Sequence, residues 1–168
     1  MTALAKSNDS LYHGHQTNRW LYGLNTGFFA GLIWGLFHWL LYALNFTKVL
    51  PGFLLDSFMR RSFLLSYWGI AVGIGTFIIF SILATYLYML TLGQYRGPWP
   101  GLFYGLFWWA VIFLGIGPFW GMVLPFNKLG WDSITTEFCL FLIWGLFIGY
   151  TIAFEFHDEA SREPANAG

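Results

Sequence analysis

The chain has 168 residues, of which 57% are hydrophobic, 23% are aromatic and only 10% are charged. A soluble domain usually carries about a quarter charged residues, so this composition favours a membrane protein over a water-soluble fold. Eight basic residues balance eight acidic ones, which leaves no basic surface for nucleic acid, and a single cysteine excludes an intrachain disulfide framework.

Four apolar segments follow a polar N-terminal tail, residues 1–19, that lacks the features of a cleavable signal peptide. They cover about residues 20–46, 63–92, 100–124 and 134–156, and each is long enough to cross a hydrocarbon core about 30 Å thick. The acidic tail, residues 157–168, is expected to be disordered. We predict an all-α fold, an integral membrane four-helix bundle with up-down topology.

The first connection contains more than a loop requires. Pro51 suits a helix start, and the apolar residues after it lie opposite Asp56 and Arg60. This pattern predicts a short helix in the membrane interface. The alternative is a hydrophobic loop folded against the bundle.

An even number of spans places both termini on one side of the membrane. Four Lys or Arg residues fall on that side and four on the other, so the positive-inside rule does not decide the orientation. We expect both termini to be cytoplasmic, because an uncleaved polar tail then needs no export.

Glycines recur at four-residue spacing in every span. In lipid, close backbone approach at small residues supplies much of the packing between helices. We therefore predict helix-packing faces at Gly27, Gly31, Gly35, Gly69, Gly73, Gly101, Gly105, Gly145 and Gly149.

His38 is the most informative polar residue inside a span. At 100° per residue it falls on the glycine face of the first helix, with Asn45 beside it, and therefore points into the bundle. A neutral imidazole that hydrogen-bonds a neighbouring helix would explain it. The alternative is a role in binding a proton or ligand, because ionisable groups at membrane depth are costly.

Glu137 falls in the first turns of the fourth helix, where a carboxylate also stabilises the positive helix end. In an up-down bundle His38 and Glu137 approach the same side of the membrane at similar depth, so we predict a contact between them. By the same reasoning Asn25 and Glu155 approach the opposite side and are predicted to pair.

The sequence contains no known catalytic motif and predicts no cofactor or metal site. The leading function is a non-enzymatic packing, interaction or accessory protein that contacts the lipid bilayer and either a membrane-protein partner or itself. The alternative is a homo-oligomeric channel or carrier in which His38, Glu137 and Asn45 line a path.

Three short sequence motifs suggest a family. They are Asn45-Phe46-Thr47 after the first span, Pro100-Gly101-Leu102-Phe103-Tyr104-Gly105 at the start of the third, and Gly149-Tyr150-Thr151 with Glu155 near the end of the fourth. From Asn25 to Phe156 the chain resembles the YqhR family of four-helix membrane proteins of Bacillus-type bacteria. The resemblance implies a multi-pass protein of the bacterial plasma membrane and transfers no activity or site residue.

Overall fold

The computed structural model describes residues 18–95 and 97–155, which form helices and connecting turns with no strand among them. Its elements are α1 (Arg19–Ala43), a 3₁₀ turn (Phe53–Leu55), α2 (Arg61–Leu64), α3 (Tyr67–Thr91), α4 (Trp99–Ala110), a π-helical segment (Val111–Ile116), α5 (Gly117–Trp120), α6 (Phe126–Leu129) and α7 (Trp131–Ala153). Four helical runs, α1, α3, Trp99–Trp120 and α7, are long and apolar enough to cross a membrane. The predicted all-α four-helix bundle is confirmed. Both predicted tails, except Asn18 and Arg19, lie outside the described residues.

The first helix ends three residues earlier than predicted, at Ala43. Asn45 adopts a left-handed conformation with φ 61°, its N–H donates to the Tyr42 carbonyl, and the Phe46 N–H donates to the Leu41 carbonyl. These two bonds form a Schellman motif, which stops a helix at the residue before the left-handed one. Residues 44–46 are therefore a helix cap and not part of the span.

The second span begins four residues later than predicted. The Ser66 hydroxyl accepts a hydrogen bond from the Gly69 N–H at 3.1 Å and starts α3 at Tyr67, as serine commonly does at a helix N-cap. Residues Arg61–Leu64 form the separate turn α2.

The first connection differs from the single interfacial helix that the sequence predicts. It contains the 3₁₀ turn and α2, and between Thr47 and the 3₁₀ turn the chain enters the bundle, where Val49, Leu50 and Phe53 are buried. A Cβ added at Gly73 of α3 would lie 2.7 Å from Gly52 Cα. The loop is thus packed directly on α3, and apolar burial rather than amphipathic helix formation determines its path.

The third span is interrupted before Pro118. Proline removes a backbone donor and clashes with the carbonyl four residues earlier, and the widened π-helical turn at Val111–Ile116 accommodates this defect. The span ends at Trp120 instead of near residue 124, because Gly121 takes a left-handed conformation with φ 70°. The fourth span starts at Trp131, three residues earlier than predicted.

The helices pack as two antiparallel pairs. In the first pair, α1 and α3 meet along the predicted glycines of α1: a Cβ at Gly27 would lie 2.6 Å from Ile82 Cα, and one at Gly31 would lie 2.5 Å from Ile78 Cα. Such spacing leaves no room for any side chain, so the two backbones are in van der Waals contact.

In the second pair, α4 and α7 interdigitate glycine against glycine. A Cβ at Gly101 would lie 2.8 Å from Gly149 Cα, and one at Gly145 would lie 2.5 Å from Gly105 Cα. All nine glycines predicted as packing residues lie against a neighbouring element, with Gly35 against Ile74 and Gly69 against α2.

The two pairs join mainly through α1 and α7. Aromatic side chains fill the space at the centre: Trp144 of α7 is fully buried and donates its indole N–H to the Ser81 hydroxyl of α3 at 2.9 Å. The outer face carries many large exposed apolar side chains, which is the arrangement expected when lipid replaces water as the solvent.

Candidate functional site

His38 and Glu137 meet inside the bundle. The His38 Nε2 atom of α1 lies 3.0 Å from Glu137 Oε1 of α7, and the two residues are 3% and 0% exposed. His38 reaches this position because it continues the glycine face of α1, while Glu137 lies in the second turn of α7. The contact that the sequence predicts is thus present in the structure.

A third side chain completes this polar cluster. Thr47 follows the cap of α1, and its hydroxyl donates to the same carboxylate oxygen, Glu137 Oε1, at 2.6 Å. The Thr47 hydroxyl also accepts from the Val49 N–H at 3.2 Å, which fixes its donor toward the carboxylate. We call His38, Thr47 and Glu137 the buried triad.

The backbone on either side of Thr47 is hydrogen-bonded to side chains of α7. The Lys48 N–H donates to the Ser133 hydroxyl at 3.0 Å, and the Thr136 hydroxyl donates to the Phe46 carbonyl at 3.3 Å. Residues 46–48 therefore run as a strap across the N-terminal turns of α7 and cover the buried triad from the side of the connections.

Phenylalanine rings seal the triad. Phe53 from the first connection packs edge-on against the His38 imidazole with ring centroids 5.8 Å apart, and Phe113 from the π segment packs behind Phe53 at 6.1 Å. Phe53 and Phe113 are each 2% exposed. In this conformation the triad is closed to water and to lipid.

One atom of the triad has no partner. Glu137 Oε2 is buried and makes no hydrogen bond, while Oε1 accepts two. Buried polar atoms are normally bonded, so an orphaned oxygen of this kind marks either strain or a place for a proton, water or ion.

The other polar residues predicted to make contacts inside the membrane lie outside the buried triad. Asn25 lies on the exposed face of α1, and the structure does not show the pairing with Glu155 that the sequence predicts. Glu155 is half-buried at the end of α7 and has an interaction of its own. Asn45 is exposed and caps α1, so within one copy of the chain it does not share the buried site of His38. The helical projection failed for Asn45 because the helix ends before it.

Sequence reasoning missed Thr47, Ser133 and Phe53 as parts of the site. Thr47 belongs to the motif Asn45-Phe46-Thr47, which in the sequence indicates only the resemblance to the family. A polar residue immediately after a strong helix stop is the signal that would have identified it. The described residues contain no group of three His, Cys, Asp or Glu side chains placed to hold a metal ion.

Within residues 18–95 and 97–155, four helices of membrane-spanning length have an apolar exterior and enclose the His38–Glu137 pair. This arrangement defines a polytopic integral membrane protein. The sequence matches the family model for "Conserved membrane protein YqhR" over residues 15–167, and the chain belongs to this family. It is similar to "Uncharacterized protein YqhR" of Bacillus subtilis (strain 168), with 32% identity over 142 residues that cover 84% of this chain and 80% of the relative. No solved structure matches it. The resemblance to the YqhR family that the three short motifs indicate is thereby confirmed.

Proposed function

We propose that this protein is a non-enzymatic interaction protein that binds a transmembrane helix of a partner membrane protein in a groove between α3 and α4. The observation that carries the proposal is the groove itself. Although α3 and α4 are consecutive spans, their backbones make hardly any close approach. A space of about 580 Å³ therefore opens between them.

The groove is almost entirely apolar and lies toward the end of the bundle where α3 finishes and α4 starts. It is lined by Leu87, Leu92, Tyr95, Trp99, Phe103 and Phe107, among others. Helix association in lipid depends on close packing, because lipid tails are as apolar as the side chains. A groove with aromatic walls provides such packing surface for the side chains of a helix that lies against the two spans.

The sealed state of the triad, which no substrate reaches in this conformation, favours an interaction role over an enzymatic one.

The groove is tested by photo-crosslinking in native membranes. A photoreactive residue replaces Phe103, which is 62% exposed in the groove, or Ile79, which is 61% exposed outside it. We expect one defined membrane protein to be captured from position 103 and not from position 79. A groove-filling Leu87→Trp substitution should abolish that capture, whereas Ile79→Trp should preserve it. Equal capture from both positions, no protein captured from position 103, or capture that Leu87→Trp leaves intact would contradict the proposal.

A second function, a homo-oligomeric channel or carrier that uses His38 and Glu137, is favoured by one observation, the unpartnered Glu137 Oε2. Transport through this site requires the strap and Phe53 to move aside. Proton or ion flux into proteoliposomes that is lost in His38→Gln, but retained in the same substitution at His157 of the C-terminal tail, would establish this function. Tight proteoliposomes across several ions would exclude it.

The proposed location is the bacterial plasma membrane with both termini cytoplasmic. The description of the family supports the membrane assignment, and the relative is bacterial. The orientation is proposed because a polar N-terminal tail on the cytoplasmic side needs no export. Labelling of single cysteines in intact cells by a membrane-impermeant thiol reagent tests the orientation. Lys128→Cys should react and Lys6→Cys should not; the reverse pattern would invert the topology.

A further inference from the structure

A pocket of about 300 Å³ lies between the first and third connections. It is separate from the buried triad and lies on the same side of the bundle. The Ser57 hydroxyl of the first connection donates to the Trp120 carbonyl at the end of the third span, so the two connections are joined beside the pocket. The position of these residues, directly beyond the ends of the spans, places the pocket at the membrane boundary.

The pocket carries two cations. Lys48 and Arg61 both line it, and Asp56 is the acidic residue among its lining. The Lys48 Nζ atom lies 3.8 Å from the point that a Cβ of Gly130 would occupy, immediately before the N-terminal end of α7. Two cations against one carboxylate leave a net positive site. Because it is close to a low-dielectric medium, its attraction for an anion is screened less than it would be in bulk water.

The rest of the lining is apolar and includes Leu50, Met122 and Val123. A site for a free anion would gain nothing from this apolar wall. A phospholipid has both parts, a phosphodiester anion and hydrocarbon directly beneath it. The combination of two cations above an apolar wall, at the depth where headgroups meet acyl chains, fits that chemistry.

We propose that this pocket binds one anionic phospholipid, with Lys48 and Arg61 contacting the phosphate and Met122 and Val123 contacting the upper part of an acyl chain. This lipid site is independent of the partner groove between α3 and α4, which lies toward the opposite end of the bundle. Its occupancy would fix the first connection, and with it the strap over the buried triad, to the membrane surface.

The test is native mass spectrometry of the full-length protein in detergent, titrated with phosphatidylglycerol or phosphatidylcholine. We expect the first phosphatidylglycerol to bind more tightly than phosphatidylcholine. Removing each pocket charge with Lys48→Gln or Arg61→Gln should weaken it by about fivefold. The chain provides matched controls, since Arg60 adjoins Arg61 and Lys128 lies in the third connection, and neither lines the pocket. Arg60→Gln and Lys128→Gln should change the affinity by less than about twofold.

Three results would overturn the proposal. Equal binding of the two lipids would show that no anion is recognised. Equal weakening by the control substitutions would show only a diffuse attraction to positive charge. Binding of inorganic phosphate as tight as that of phosphatidylglycerol would show that the site takes a free anion and not a lipid. Lys48 and Arg61 are exposed, so the variants should fold, and an Arg61→Lys variant that retains most of the binding would provide an additional check.

Discussion

The buried triad makes a quantitative prediction, because its members depend on one another. Glu137→Ala leaves two buried donors without an acceptor, His38 Nε2 and the Thr47 hydroxyl. His38→Ala leaves the carboxylate with Thr47 alone. Removing one partner of a buried hydrogen bond leaves the other unsatisfied, which costs about 1–3 kcal/mol of the free energy of unfolding and more where a group is charged. In the double variant only the Thr47 hydroxyl loses its partner. The loss of unfolding free energy should therefore be smaller than the sum of the losses in the two single variants.

The sum of the two single costs minus the cost of the double variant is the coupling energy of His38 and Glu137. A hydrogen bond to a charged group contributes about 1.5–3 kcal/mol in proteins generally, whereas double-mutant cycles in a membrane protein average about 0.6 kcal/mol with a maximum near 1.7. The contact of 3.0 Å is buried and both partners are ionisable, so we expect a coupling energy of about 1–2 kcal/mol.

The assay is reversible unfolding in mixed micelles, with helical circular dichroism as the signal, for the wild type, both single variants and the double variant. The control cycle pairs His38→Ala with Thr91→Ala. Thr91 bonds its own helix and lies about 25 Å from His38 along the bundle, so these two changes should add. A His38–Glu137 coupling energy no larger than that of the control cycle would refute the view that the pair is an energetic unit.

Three further predictions use the same unfolding assay. Gly145→Ala should lower the free energy of unfolding by more than about 2 kcal/mol, because its Cβ would meet the backbone of the facing helix. Gly75→Ala should be neutral or stabilising, because its Cβ would meet nothing. Equal effects of the two substitutions would refute the close packing of α4 against α7. Thr47→Val should lower the free energy of unfolding by about 1–3 kcal/mol, because it removes a donor from a buried carboxylate. Thr136→Val removes only an exposed, longer bond to the Phe46 carbonyl and should cost less than about 0.5 kcal/mol; a neutral Thr47→Val would argue against the triad. Asn45→Gly should be tolerated, whereas Asn45→Val should cost at least about 1 kcal/mol, because valine tolerates the left-handed φ of 61° poorly; equal stability of the two variants would contradict the left-handed cap.

The sequence predicts the spans well because their signal is physical and local. A run of more than twenty apolar residues has no other stable environment than lipid, and glycine at four-residue spacing marks the faces where backbones meet. The opposition of Gly101 to Gly149 and of Gly105 to Gly145 required the structure, since spacing alone does not identify which helix supplies the partner. The span ends were less certain because local capping decides them, as Asn45 and Ser66 show.

The polar site was only partly predictable. His38 and Glu137 were identifiable because each is an ionisable residue on an inward face at a similar depth. Thr47 and Phe53 reach the site through a loop that enters the bundle between α1 and α3, and hydrophobic pattern could not distinguish that loop from an interfacial helix. The pairing predicted for Asn25 and Glu155 rested on depth alone, without a shared inward face.

The central claim is that His38 and Glu137 are in contact inside the bundle in a lipid membrane. Magic-angle-spinning NMR of the full-length protein in bilayers tests it directly, through the dipolar coupling between ¹⁵N-labelled histidine side chains and ¹³C-labelled glutamate carboxyl carbons. We predict one coupling that reports a nitrogen–carbon distance of about 4 Å or less, absent in His38→Gln and present in His157→Gln. The absence of any such coupling in the wild type, or its persistence in His38→Gln, would contradict the claim.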